Sequence, residues 1–197
     1  FMELPVDGGY GSYANEINDV GQVVGSADTW YGKRCAALWT DGVYTDLGPL
    51  GGYSSQGNGI NVHGDVVGER TDGTDMFGPR YAYIRDSDSG VVTDLDGSYS
   101  YARRINDNGQ IVGQCAMSYR AVIWQNGAVT DLGTLGHNAS YAADIDDTGT
   151  VVGASGDGGV YRPFVWRDGL MMDLGTLEPW IGGEAHAVNN LGQIVGR

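Results

Sequence analysis

Asp144-Ile145-Asp146-Asp147-Thr148-Gly149 puts three carboxylates within four positions, an oxygen-rich run of the kind that calcium takes. It lacks the downstream Glu of an EF-hand loop. Asp72 to Asp75 is a second, sparser candidate. Calcium is thus the one cofactor the residues suggest, through Asp72, Asp75, Asp144, Asp146 and Asp147. A hairpin turn is the simpler account of the first run, because sister positions hold non-ligands such as Val62. Asp46, Asp94, Asp131 and Asp173 each precede Leu and could pass for acid–base groups. Glycoside hydrolysis needs two carboxylates roughly 5 to 10 Å apart, and chain spacing does not establish such a pair. His63, His137 and His186 share no metal-ligand spacing. There is no Gly-x-Ser-x-Gly elbow and no Cys-x-x-Cys pair. Asn138-Ala139-Ser140 fits an N-glycosylation acceptor. Cys35 and Cys115 fall in different surroundings and read as unpaired small apolar residues.

The residues that recur explain most of these patterns. Ile17-Asn18-Asp19-Val20-Gly21-Gln22-Val23-Val24-Gly25 returns as Ile60 to Gly68, Ile105 to Gly113, Ile145 to Gly153 and Val188 to Gly196. The leading Ile or Val is spaced by 43, 45, 40 and 43 residues. A period of that size signals a repeat architecture. A residue present in every copy serves the unit, whereas one unique to a copy is free for function. On that test the recurrent aspartates hold backbone or inter-blade hydrogen bonds. Trp39, Trp124 and Trp166 pack between units, with Arg85 at the matching place of the second. Asn18, Asn61, Asn106 and Asn189 form turns, with Asp146 replacing Asn in the fourth copy.

Each unit holds four strand-like runs. In the first they are Tyr13 to Asn18, Gln22 to Gly25, Cys35 to Trp39 and Val43 to Leu47. Asn or Asp followed by Gly marks the hairpins, as in Thr40-Asp41-Gly42, Gln125-Asn126-Gly127 and Arg167-Asp168-Gly169. Glycine is 34 of 197 residues, well above the usual ~7%, and falls at such turns. No stretch has helical periodicity. The expected fold is all-β, a β-propeller-like array of four-stranded antiparallel meander blades, about 43 residues each. Its full units span about 13–56, 57–98, 99–138 and 139–184, with partial units at 1–12 and 185–197.

Ala36-Ala37-Leu38-Trp39, Thr45-Asp46-Leu47-Gly48-Pro49-Leu50-Gly51-Gly52 and the Ile17 to Gly25 run resemble the HAF-type bacterial extracellular repeat family. Thr130-Asp131-Leu132-Gly133-Thr134-Leu135-Gly136 is similar to it again. The family's His-Ala-Phe step is matched by Cys35-Ala36-Ala37, Tyr81-Ala82-Tyr83, Arg120-Ala121-Val122 and Arg162-Pro163-Phe164. The resemblance covers essentially the whole chain. It implies a secreted or cell-surface location and no established reaction, and it carries over no catalytic residues.

A formal charge of −14 repels phosphate backbones and disfavours nucleic acid as a partner. No apolar run approaches a membrane span. The second-to-third and fourth-to-first connections vary in length and emerge on one edge, where function usually sits. They carry Trp30, Tyr31, Met76, Phe77, Tyr119, Tyr161 and Trp180, aromatic and Met side chains suited to glycan or protein contacts. The reading is a non-catalytic extracellular repeat protein for structure, adhesion or assembly. A lectin-like propeller or a propeller glycoside hydrolase or lyase is the alternative. Met2-Glu3-Leu4 aligns with Thr45-Asp46-Leu47, and the sequence stops after a second strand. Three arrangements stay open: a fragment of a longer array, a ring closed by the N-terminal strand, or ends that pair between chains into a filament.

Overall fold

Short Val-, Ile- and Tyr-rich runs punctuated by Asn-Gly and Asp-Gly favour extended chain closed by tight turns. The computed structural model describes residues 4–5, 9, 11–73, 77–97, 99–115, 118–157, 159–176 and 182–197. Every regular element among them is a strand, and neighbouring strands run antiparallel. The first sheet holds β1 (Ser12–Ile17), β2 (Val23–Asp28), β3 (Arg34–Thr40) and β4 (Val43–Gly48). The second holds β5 (Ser54–Ile60), β6 (Val66–Thr71), β7 (Arg80–Arg85) and β8 (Val92–Asp94). The third holds β9 (Ser100–Ile105), β10 (Ile111–Cys115), β11 (Arg120–Gln125) and β12 (Ala128–Asp131). The fourth holds β13 (Ala139–Ile145), β14 (Val151–Asp157), β15 (Val160–Arg167) and β16 (Leu170–Asp173). A two-stranded sheet follows, β17 (Ala185–Val188) and β18 (Ile194–Gly196). Strand order in each sheet is sequential, so each is a meander. The chain divides into two compact units, Phe1–Ala102 and Arg103–Arg197.

Local chemistry sets these meanders. Asp41 and Gly42, at φ of 51° and 76°, make the two-residue turn between β3 and β4. That left-handed pair suits the twist of a hairpin, and Asp and Gly tolerate it best. The first strand of a sheet slips register by a residue, between Ala14 and Glu16, Gly57 and Gly59, Ala142 and Asp144, and Ala185 and Ala187. At this bulge the strand presses on its neighbour. A Cβ on Gly25, Gly68, Gly153 or Gly196 would run into the carbonyl oxygen of Tyr13, Gln56, Tyr141 or Glu184. In these four Val-Val-Gly or Ile-Val-Gly runs the closing glycine is therefore a clearance.

The core lies where one sheet packs on the next. In the first unit Val24, Ile60, Val66 and Tyr83 form one buried cluster. In the second, Val112, Ile145, Val151 and Phe164 belong to another, and Val152, Val165, Ala185 and Val188 to a third. Each buried Val or Ile contributes about 1.5–3 kcal/mol relative to exposure. Hydrogen bonds between sheets set the register of this packing. The Asn18 amide donates to the Asn61 carbonyl at 2.8 Å, and the Asn106 amide to the Asp146 carbonyl at 2.9 Å. The Ala36 N–H donates to Ser55 Oγ at 2.8 Å, and that hydroxyl donates to the Gly48 carbonyl at 2.6 Å. The same arrangement links Ala82, Ser100 and Gly97, and again Ala121, Ser140 and Gly133.

Candidate functional site

The loop from β2 to β3 is a turn closed on itself. Thr29 N–H donates to the Lys33 carbonyl at 2.7 Å, and Gly32 N–H donates back to the Thr29 carbonyl at 3.0 Å. Lys33 N–H donates to Thr29 Oγ1 at 3.3 Å. The backbone satisfies its own polar groups, so Trp30 and Tyr31 need not fold back to cover them. They stand 70% and 91% exposed. With Asp28, Thr29, Lys33, Tyr44, Asp46 and Pro49 they line a cavity of about 350 Å³. A second cavity of about 300 Å³ shares Asp28 and adds Arg34, Tyr53, Gln56, Glu69 and Arg80. Both volumes lie near the lower end of ligand-site sizes.

The charges at this edge are paired. Arg34 Nε lies 3.0 Å from Asp28 Oδ1, and its guanidinium stacks 4.4 Å from the centre of the Tyr13 ring. The partner carboxylate, opposing desolvation, holds the Arg34 pKa above its ordinary value. Arg80 meets Glu69 at 2.8 Å, and Lys33 Nζ sits 4.5 Å over the Tyr53 ring. Asp46 Oδ1 accepts the Gly48 N–H at 2.8 Å. Asp28, Glu69 and Asp46 therefore already serve as structural acceptors. The edge offers two open rings and a rim of mixed charge, which suits binding a polar ligand with apolar faces. Cys35, which also lines the first cavity, has its thiol pushed up to about 11 by burial and by the charge of Asp46, against the opposing Lys33. A neutral buried thiol is a poor nucleophile.

The other candidate residues are placed differently. Phe77 is exposed in the β6–β7 connection, and Tyr119 is exposed at a turn with φ of 52°. Tyr161 packs edge-on against Tyr141, ring centres 5.8 Å apart. Met76, Asp75 and Trp180 lie outside the described residues. Asp72 Oδ1 accepts the Gly73 N–H. Asp146 Oδ1 accepts the N–H groups of Thr148 and Thr150 and the Thr148 hydroxyl, all within 2.9 Å. Asp144 Oδ2 accepts the Val188 N–H at 2.9 Å. Asp147 takes the Asp107 N–H on one oxygen and the Asn190 amide on the other. Among the described residues no group of three or more His, Cys, Asp or Glu side chains could hold a metal ion.

The recurrent aspartates do hold backbone groups: Asp131 and Asp173 accept the N–H of the glycine two residues on, as Asp46 does. Asp94 has no glycine two residues on; it pairs with Arg70 at 2.7 Å, as Asp173 also does with Arg162 at 2.9 Å. Trp39 is fully buried, and its indole N–H donates to the Pro5 carbonyl at 2.8 Å. The groups that sequence reading missed are the serines. Ser12, Ser55, Ser100 and Ser140 all stand five residues before the repeat isoleucine, a spacing visible in the chain. In the second unit a cavity of about 870 Å³ is lined mainly by apolar side chains such as Val160, Leu174 and Val195. Its one carboxylate, Glu184, is paired with Arg197 at 3.0 Å. No protein-family model matches the chain, and no curated protein matches it.

Proposed function

We propose that the chain is a non-catalytic extracellular or cell-surface repeat protein, a propeller-like array of sheets that presents a loop edge for adhesion. One observation carries this reading. The recurrent Asp46, Asp131, Asp173 and Trp39 bond within the scaffold, while Trp30 and Tyr31, unique to one repeat, stand exposed at a cavity that they help to line. The resemblance to HAF-type repeats supports the surface location. The ion-paired state of Asp28 and Glu69 favours binding over hydrolysis, because a hydrolytic pair needs one carboxyl free to donate a proton.

A surface glycan is the ligand class that fits, since sugar rings lay apolar faces on aromatic side chains and polar rims on charged ones. The test is titration against a panel of bacterial polysaccharides, with product analysis by reducing-end assay. Saturable binding that Trp30→Ala and Tyr31→Ala weaken at least tenfold, with no new reducing ends, is the expected result. Release of reducing ends would overturn the non-catalytic reading. Binding unchanged in both variants would remove this edge as the site.

A further inference from the structure

The recurrent aspartate near the end of the fourth strand meets an arginine in three of the sheets. Asp94 pairs with Arg70 at 2.7 Å, Asp131 lies 3.9 Å from Arg120, and Asp173 pairs with Arg162 at 2.9 Å. These arginines come from two facing places. Arg120 and Arg162 stand directly before Ala121 and Pro163 in the third strand. Arg70 stands in the second strand, in register with Tyr81, which holds the matching third-strand place of its sheet. In the first sheet the two places hold Ala27 and Cys35, in register with each other and buried. Neither side chain can carry a positive charge. Asp46 keeps its bond from the Gly48 N–H, but among the described residues no Arg or Lys pairs with it.

Asp46 and Cys35 instead line the cavity that holds Trp30 and Tyr31. The charge of Asp46 is felt inside it, since after burial it is the cause that raises the Cys35 thiol. Asp28, on the same wall, already has Arg34. Lys33 also lines the cavity, but its ammonium rests 4.5 Å over the Tyr53 ring, which belongs to the second cavity. The rings repeat this contrast. Tyr13, Tyr53 and Tyr81 each have a cation of the chain over the face, at 4.4, 4.5 and 5.2 Å. No described Lys or Arg lies over Trp30 or Tyr31.

We propose that this cavity takes the primary ammonium of an amino sugar, which pairs with Asp46 where arginine does so in the sister sheets, while the pyranose lies on Trp30 or Tyr31. The inference rests on the reading of this edge as a glycan site and makes that glycan cationic. An exposed ion pair contributes little by itself, so the rings supply most of the affinity and the carboxylate selects the sugar. N-acetylation removes the charge that Asp46 selects.

Calorimetric titration of the 197-residue chain at pH 6 and low salt tests this, with short glucosamine oligomers against their N-acetylated counterparts. The amine form should bind about fivefold more tightly. Asp46→Asn keeps an oxygen for the Gly48 N–H and should abolish that preference. Asp168→Asn removes the same charge from a distant exposed hairpin and should leave it intact, which separates a site from the general pull of a −14 chain on amines. Cys35→Arg restores the arginine of the sister sheets and should weaken amine binding, with melting compared to confirm folding. Equal binding of the two oligomers, a preference that survives Asp46→Asn, or equal effects of Asp46→Asn and Asp168→Asn would each overturn the proposal. So would binding of an arginine peptide where neither oligomer binds, which would give the place to a protein partner. N-acetylated or neutral glycans held through Trp30 would leave the glycan reading standing while this inference falls.

Discussion

The joint between the first and second sheets and the joint between the fourth and the two-stranded sheet use one apolar seat and two polar solutions. In the first, Ser55 takes the Ala36 N–H and donates to Gly48, while Asn18 reaches the Asn61 carbonyl and Glu16 takes the Ile60 N–H at 2.7 Å. In the last, Pro163 stands where Ala36 stood and has no N–H. Gly183 stands where Ser55 stood and has no hydroxyl. Asp146 stands where Asn18 stood and has no amide. The replacement link is Asp147 with Asn190, which exchange two hydrogen bonds of 2.9 and 2.6 Å. Donor and acceptor have vanished together, which is the inexpensive way to lose a buried hydrogen bond. Removing one partner alone leaves the other unsatisfied, at about 1–3 kcal/mol.

The widest contrast concerns the seat. Ile60→Ala should cost about 3 kcal/mol of stability, read from urea midpoints at low protein concentration. Ile17→Ala, the same change on an exposed residue, should stay within about 0.5 kcal/mol. Equal losses at both would mean that the β1 face is covered. Next in size, Ser55→Ala should cost about 2 kcal/mol by orphaning the Ala36 N–H and the Gly48 carbonyl. Gly183→Ser alone should bring no gain, because its Cβ would press on the Arg197 carbonyl oxygen and its hydroxyl would face a proline. Combined with Pro163→Ala it should recover about 1 kcal/mol beyond the sum of the two single changes; strict additivity would deny that these positions are coupled.

A smaller effect is pH-dependent. Burial raises the Asp144 carboxyl above its ordinary 3.8, against the opposing Val188 and Ile145 N–H groups. Folding then favours the protonated form. Its stabilising contribution is complete below the ordinary value and is lost as pH rises through the folded one. Asp144→Asn should flatten that part of the stability profile, and an unchanged slope would assign it elsewhere. The smallest effect touches no stability at all. Iodoacetamide at pH 8 should modify Cys115, which is partly exposed, well before buried Cys35. Equal rates by mass spectrometry would contradict the packing around β3.

The all-β architecture and its sequential four-stranded sheets were legible because the turn residues and the repeated Ile-Asn to Val-Gly run fall at nearly constant spacing. Recurrence marked Asp46, Asp131 and Asp173 as hydrogen-bonding scaffold residues, without saying whether the partner was local backbone or the next sheet. The β-bulge at Ala14 to Glu16 could not, since it inserts a residue without any change of composition. Nor could the ion pairs of Asp28 and Glu69, whose arginines come from neighbouring strands. Trp30 and Tyr31 were recognised as loop residues. Their shared cavity depends on Tyr44, Asp46 and Pro49, 13 to 19 residues further along. The calcium reading rested on carboxylate density alone; in the structure Asp144, Asp146 and Asp147 accept hydrogen bonds in turns and joints.

The paired loss at Pro163 and Gly183 makes the repeats unequal as interchangeable parts. Recombination that moved the fourth repeat ahead of one beginning with serine would set a proline against a hydroxyl seeking a donor. The reverse exchange would leave an alanine N–H facing empty space. Copies of such a repeat can be gained or lost in order, but shuffling them carries a penalty at every mismatched seam. Selection on these seams would hold the sequence of repeats along the chain even where their loops are free to diverge.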